Sequence, residues 1–307
     1  ADGNDRKKIL RAINDLEAGG STAGAAGINT AYDIAQKYFI DGGNNRVILA
    51  TDGDLNVGLS SESELTRLIE EKRESGVFLS VLGFGKGNYK DNRLEALADY
   101  GNGNYSYIDS EKEAKKVLVD EMSGTLFTVA KDVKFQLEFN PANVKGYRLI
   151  GYENRVMAAE DFNDDTKDAG EIGAGHSVTV LYEIVLADSK MELGESKLKY
   201  ASDSEGVMGD ELLTVNIRYK EPEGSESKLL TYPVNKSLYS DKMSADMNFA
   251  SCVAEFGMLL RNSRYIGDVT YKDVSAQLSK YDYSDDDYKD EFIYLVNTMK
   301  RRDTNFQ

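Results

Sequence analysis

The chain has 307 residues and carries 37 Lys and Arg against 53 Asp and Glu, a formal net charge of −16. That balance argues against a nucleic-acid partner, because phosphate binding rests on basic patches, and against anionic membrane surfaces. The single cysteine, Cys252, rules out an intrachain disulfide; no run is apolar enough to span a membrane; and the length allows two or three domains. Cys252, in FASCVAEFGMLL, reads as a small core residue, and the one histidine, His176, sits in a strand-like run with no evident catalytic partner. The opening ADGNDRKK holds no signal peptide and reads as the interior of something longer.

Residues 1–124 alternate helix and strand. Ile9, Leu10, Ile13 and Leu16 mark one helical face, with Gly19 as its stop. After the loop GGST a helix is expected over residues 23–39. Val47, Ile48, Leu49 and Ala50 then form a short apolar run, expected as a strand buried on both faces. Ser61 and Glu64 have the spacing of a capping box before a helix through Leu65, Leu68 and Ile69, which Gly76 ends. VFLSVLGFG is a second buried strand, Leu94, Leu97 and Ala98 a short helix stopped at Gly101, and NYSYID a third strand. Ser110 and Glu113 repeat the capping signal ahead of Val117, Leu118 and Met122. Strands spaced by helices predict a Rossmann-like, doubly wound parallel α/β sheet.

The period changes over residues 125–237. In DVKFQLEFN, Val133, Phe135, Leu137 and Phe139 alternate with Lys134, Gln136 and Glu138. HSVTVLYEIVLA and LLTVNIRYK repeat the alternation between turn-rich segments such as EDFNDDTKDAGEIGAG and EPEGSES, which predicts an antiparallel β-sandwich. Residues 238–307 read as a small C-terminal helical domain. Met247, Phe249, Val253, Phe256 and Leu260 lie at three- and four-residue steps, Val274 and Leu278 mark a shorter helix, and Phe292, Ile293, Leu295, Val296 and Met299 mark the last. Asp285, Asp286 and Asp287 near its start and Lys300, Arg301 and Arg302 near its end suit the helix dipole better than a metal loop.

The motif that carries chemistry is ATDGDLNVG, where the first apolar strand ends in Asp52 and Asp54. Bare carboxylates are costly to desolvate, and an acid at the C-terminal edge of a parallel sheet faces a ligand crevice. An EF-hand-type loop fails, because Val57 stands where glycine is needed and Ser63 where glutamate is needed; DFNDDTKDAGEI fails similarly at Thr166 and Ile172, leaving Asp161 and its neighbours as a solvated turn. A phosphatase of the haloacid-dehalogenase type would use Asp52 and Asp54 as nucleophile and general acid. It wants Thr or Val where Asn56 stands, and no obvious Lys and acidic pair follows. A dinucleotide loop at GFGKGN puts Asn88 where the last glycine belongs. Asp54 can equally cap the loop that follows it.

GGST, the helix after it, VILATDGDLNVG and FLSVLGFGKGNYKDNRLEALADYGNGNYSYID together resemble the second half of a von Willebrand factor type A domain of the bacterial kind. The resemblance implies a metal-ion-dependent adhesion site for Mg²⁺ or Mn²⁺. Thr22 matches that site's threonine loop and Asp52 its aspartate loop, and the open metal position would accept an acidic residue from a partner protein. The Asp-x-Ser-x-Ser loop of the family is absent before Thr22, so the site is expected to be incomplete and weak here, and the strand at 47–51 to present an unpaired edge through which the chain could self-associate. Residues 125–307 resemble the β-rich region and the C-terminal helical domain of unknown function that follow the type A domain in a bacterial group. This resemblance implies a non-enzymatic adhesion or scaffold protein of the bacterial cell envelope, at the periplasm or surface, with a lipid anchor expected on a segment ahead of this sequence. A metal-independent scaffold working through the β-sandwich is the remaining alternative.

Overall fold

The computed structural model of the chain describes residues 2–17, 24–52, 62–85, 91–122, 124, 127–152, 155–193, 209–222 and 224–303. They divide into two compact units. The first is Ala1–Asp132 with Ala169–His176 and Glu221–Gly224; the second is Val133–Asp168, Ser177–Lys220 and Ser225–Gln307.

The first unit is built on a parallel sheet in the order β1-β2-β3, from β1 (Arg46–Thr51), β2 (Phe78–Phe84) and β3 (Tyr105–Ile108). Val47 pairs with Leu79 and Leu82 with Ser106. Helices α2 (Gly24–Lys37), α3 (Glu62–Arg73) and α4 (Asp91–Tyr100) cover one face. Their Ile28, Tyr32, Leu65, Ile69, Leu94 and Leu97 close over Leu79 and Val81 as one core, with Val47, Leu49 and Tyr105 at its margin. The other face is covered more sparsely. Leu82, Ile108 and Val117 cluster there with Ala114, which sits on α5 (Glu111–Lys115), a helix that continues as a π-turn over Lys116–Asp120.

The sparse second face corrects one expectation. Strand β2 is buried on both sides, but β1 is not: Ile48 is 49 % exposed and Ala50 is exposed, while Val47 and Leu49 turn to the core. An all-apolar run therefore marked a strand without fixing how many of its faces are covered. Helix α1 (Arg6–Asn14) likewise leaves Leu10 and Ile13 exposed and buries no residue. Its expected stop, Gly19, lies outside the described residues; the helix ends on Asp15, whose N–H donates to the Arg11 carbonyl.

Gly101 does end α4, for a reason beyond helix capping. A Cβ on Gly101 would lie 2.6 Å from the Leu79 Cβ, and one on Gly103 1.8 Å from the Leu79 carbonyl oxygen. The turn into β3 passes so close to β2 that no side chain fits. Ser110 caps α5 by accepting the Glu113 N–H at 3.2 Å; Ser61 lies outside the described residues.

Strand β4 (Thr128–Phe139) begins in the first unit, where β6 (Gly170–Gly173) is hydrogen-bonded to it. In the second unit it neighbours β8 (Glu211–Lys220), which pairs antiparallel with β9 (Ser227–Asn235). A second antiparallel pair joins β5 (Val144–Ile150) to β7 (Leu181–Leu186), and the Phe139 ring stacks on Tyr147 with centroids 4.0 Å apart. The expected strand at HSVTVLYEIVLA is shorter than its alternation: residues 176–180 are not in a strand.

The alternation of β4 also breaks. Lys134 is 3 % exposed while Phe135 is exposed. Asp132, two residues before Lys134, has φ +52°, a left-handed backbone. The buried ammonium of Lys134 donates to the carbonyls of Asp161 (3.1 Å) and Asp164 (2.5 Å), and Lys220 donates to that of Asp165 (2.8 Å). Two lysines thus hold the loop that the sequence presents as a solvated turn, and Phe162 within it is buried.

The helices of the second unit are α6 (Ala245–Leu260), α7 (Tyr271–Leu278) and α8 (Asp287–Asp303). Cys252, Val274, Leu278, Tyr283 and Val296 form their core. On α6, Met247, Val253 and Leu260 are exposed, contrary to the apolar stripe, while Asn248 is 1 % exposed. That asparagine belongs inside because its amide donates to the Gln277 carbonyl (3.2 Å) and the Tyr283 hydroxyl (3.1 Å). Cys252 is a core residue, as expected, and burial pushes its thiol up to about 11, which leaves no thiolate for nucleophilic chemistry.

Candidate functional site

In a parallel sheet all C-terminal strand ends lie along one edge, and here Thr51, Phe84 and Ile108 end there together. Asp52 follows Thr51 directly and is exposed at that edge. Beside it the chain leaves β2 through Gly85 at φ +104°, where an added Cβ would lie 3.7 Å from the Asp52 Cβ. The Tyr107 hydroxyl of β3 donates to the Gly85 carbonyl and fixes that exit. The run from Val47 thus ends with Asp52 exposed at the C-terminal edge of the sheet.

Thr22 and Asp54 lie outside the described residues, as do residues 53–61 and 86–90. Of the expected pair Thr22 and Asp52, the described structure therefore places Asp52 alone. A hard cation takes six or more oxygens, and among the described residues no group of three or more His, Cys, Asp or Glu could hold a metal ion. The described residues do not fit a complete Mg²⁺ or Mn²⁺ centre. Of the glycines tried as a dinucleotide loop, Gly83 is buried inside β2 and Gly87 lies outside the described residues.

The acidic run before α8 is a helix cap. The Asp286 carboxylate accepts the N–H groups of Tyr288 (3.0 Å) and Lys289 (3.1 Å). Sequence reading did not single out Arg148, Arg261 and Arg264, which line one cavity of the second unit. Arg261 and Arg264 stand close together in LLRNSRY, but Arg148 is remote in sequence, and only the fold brings it to them.

A helix-clad parallel sheet with an acid at the exit of β1, followed by antiparallel sheets and a helical region, is the architecture of a von Willebrand factor type A domain joined to a second, β-rich and helical part. The family model for the von Willebrand factor type A domain matches residues 1–121, and that for "Uncharacterized protein YfbK, C-terminal" matches residues 124–301; the chain belongs to this YfbK family. It is 45 % identical over 299 residues to the uncharacterized protein YfbK of Escherichia coli (strain K12), a match that covers 96 % of this chain and spans 51 % of that relative's length. Among solved structures, a von Willebrand factor type A protein from Catenulispora acidiphila has a TM-score of 0.38 at 16 % identity, covering 90 % of this chain and 62 % of that one. Human COPII-coat protein Sec24c has 0.36 at 12 %, covering 82 % and 34 %. No helix among the described residues is long and apolar enough to cross a membrane.

Proposed function

We propose that the chain is part of a non-enzymatic adhesion or scaffold protein of the bacterial cell envelope, working by protein–protein contact at the C-terminal edge of its parallel sheet. The observation that carries this reading is the position of Asp52, exposed at the end of β1 and beside the Gly85 turn. In this reading Asp52, together with Thr22, lends oxygens to a Mg²⁺ or Mn²⁺ ion, and the ion would supply the positive centre for an acidic side chain of the partner. The remaining oxygens come from elsewhere, so affinity in this chain alone is weak, because a hard cation takes six or more oxygens.

Calorimetric titration of Mn²⁺ and Mg²⁺ into the chain and its Asp52→Ala variant tests this. Weak binding in the parent that disappears in the variant is the expected result. An isotherm unchanged by Asp52→Ala would remove Asp52 from the site and with it the metal-dependent reading. Turnover of a generic phosphoester, abolished by Asp52→Asn, would move the same residue into a phosphatase instead.

A further inference from the structure

We propose that a cavity of about 240 Å³ in the second unit is a binding site for an oxyanion, a carboxylate or a phosphate, carried on a small apolar body. The site is distinct from the sheet edge at Asp52 and does not depend on a metal.

Arg148, on β5, has the more fixed guanidinium. Its Nε donates to Glu183 on β7 at 2.9 Å, one terminal nitrogen donates to the same carboxylate, and its central carbon lies 4.1 Å from the centroid of the Tyr265 ring. The other terminal nitrogen has no acceptor among the described residues. Arg264 lies 4.6 Å from the centroid of the Tyr265 ring and donates from one terminal nitrogen to the Tyr265 hydroxyl. It makes no ion pair among the described residues, and its Nε and second terminal nitrogen have no acceptor there. Arg261 also lines the wall, and Leu149, Ile150 and the buried Met258 supply an apolar lining. A planar fork with spare donors recognises carboxylate and phosphate bidentately. The apolar lining favours an anion with a hydrocarbon or aromatic body over a bare ion.

The arginine-bearing turn is set before any ligand arrives. Asn262 closes α6 in the left-handed region at φ +49°, the Ser263 N–H donates to the Met258 carbonyl at 2.9 Å, and the Asn262 N–H donates to that of Leu259 at 3.1 Å. These bonds make a Schellman turn with asparagine in the glycine position. The Tyr265 N–H then reaches the Ser263 hydroxyl at 3.4 Å. Little ordering remains to oppose binding. In a chain of net charge −16, Arg264, which has no ion pair among the described residues, is the point of this cavity at which an incoming anion meets positive charge.

The test is calorimetric titration of inorganic phosphate and of sodium benzoate into the chain at low ionic strength, repeated with Arg264→Gln, Arg264→Lys and the remote control Arg11→Gln. The expected result is binding of at least one anion that weakens by about tenfold in Arg264→Gln, the loss of one charge-assisted hydrogen bond. Arg264→Lys should retain part of the affinity and Arg11→Gln all of it. Preference for benzoate would assign the carboxylate on an apolar body, and preference for phosphate the phosphoryl head; either supports the site. Arg264 is exposed, so its variants should melt with the parent, and a melting curve checks this. No heat from either anion, or isotherms indifferent to Arg264, would overturn the proposal.

Discussion

Tyr32 is wholly buried in the core of the first unit, yet its hydroxyl has no hydrogen-bond partner among the described residues. Burial alone pushes its phenol up to about 12. A buried polar group without a partner costs on the order of 1–3 kcal/mol, so Tyr32→Phe should stabilise the first unit by about 1 kcal/mol, read as a higher urea midpoint at unchanged slope. A lower midpoint would show that the hydroxyl has a partner outside the described residues. Individual residues were unevenly legible in the sequence. Asp52 was, because an acid directly after an apolar strand has few places to go. Asn248 was not: a core asparagine looks like any polar helix residue until the Tyr283 hydroxyl and the Gln277 carbonyl are brought to it from other elements.

At the scale of elements, the loop around residues 159–166 shows how a pattern of acids can mislead. Spaced like a cation loop but lacking its glycine and glutamate, it is held by the ammonium groups of Lys134 and Lys220, which meet its backbone carbonyls, while Asp165 accepts from the Ser227 hydroxyl at 2.6 Å and from Arg218 at 3.3 Å. Those bonds, the serine hydroxyl first, lower Asp165 from 3.8 to about 2. A carboxyl lowered in the folded state favours folding above its unfolded value, so its contribution is intact above 3.8 and fades as pH falls toward about 2. Urea midpoints measured through that window should fall with pH in the parent and fall less steeply in Asp165→Asn; equal slopes would mean that the carboxylate is bound no better in the folded chain. The strict alternation of β4 hid this arrangement. Sequence period places Lys134 in solvent and Phe135 in the core, but the carbonyls of Asp161 and Asp164 take up the Lys134 ammonium inside the fold.

For the molecule as a whole, strand order is the property a single sequence states least. Apolar runs announced β1 and β2, the NYSYID stretch announced β3, and glycine-marked turns spaced them, but nothing in a strand's own residues says which neighbours it has. The described sheet runs β1-β2-β3, so β1 pairs on one side only among the described residues, with Ile48 open on the thinly covered face. An edge of this kind is a template for pairing with another chain. Two terms of opposite sign then set its behaviour. Exposed apolar surface such as Ile48 favours association, and a net charge of −16 on each copy opposes it. Salt weakens only the second, because at 0.5 M the screening length falls to roughly 4 Å. Sedimentation velocity should therefore show a monomer at low salt and a dimer that grows with protein concentration and with added NaCl. Ile48→Lys, which sets a charge on the open face of the edge strand, should hold the chain monomeric under both conditions. A parent chain that stays monomeric at high salt and high concentration would show that the edge is already covered by the chain itself.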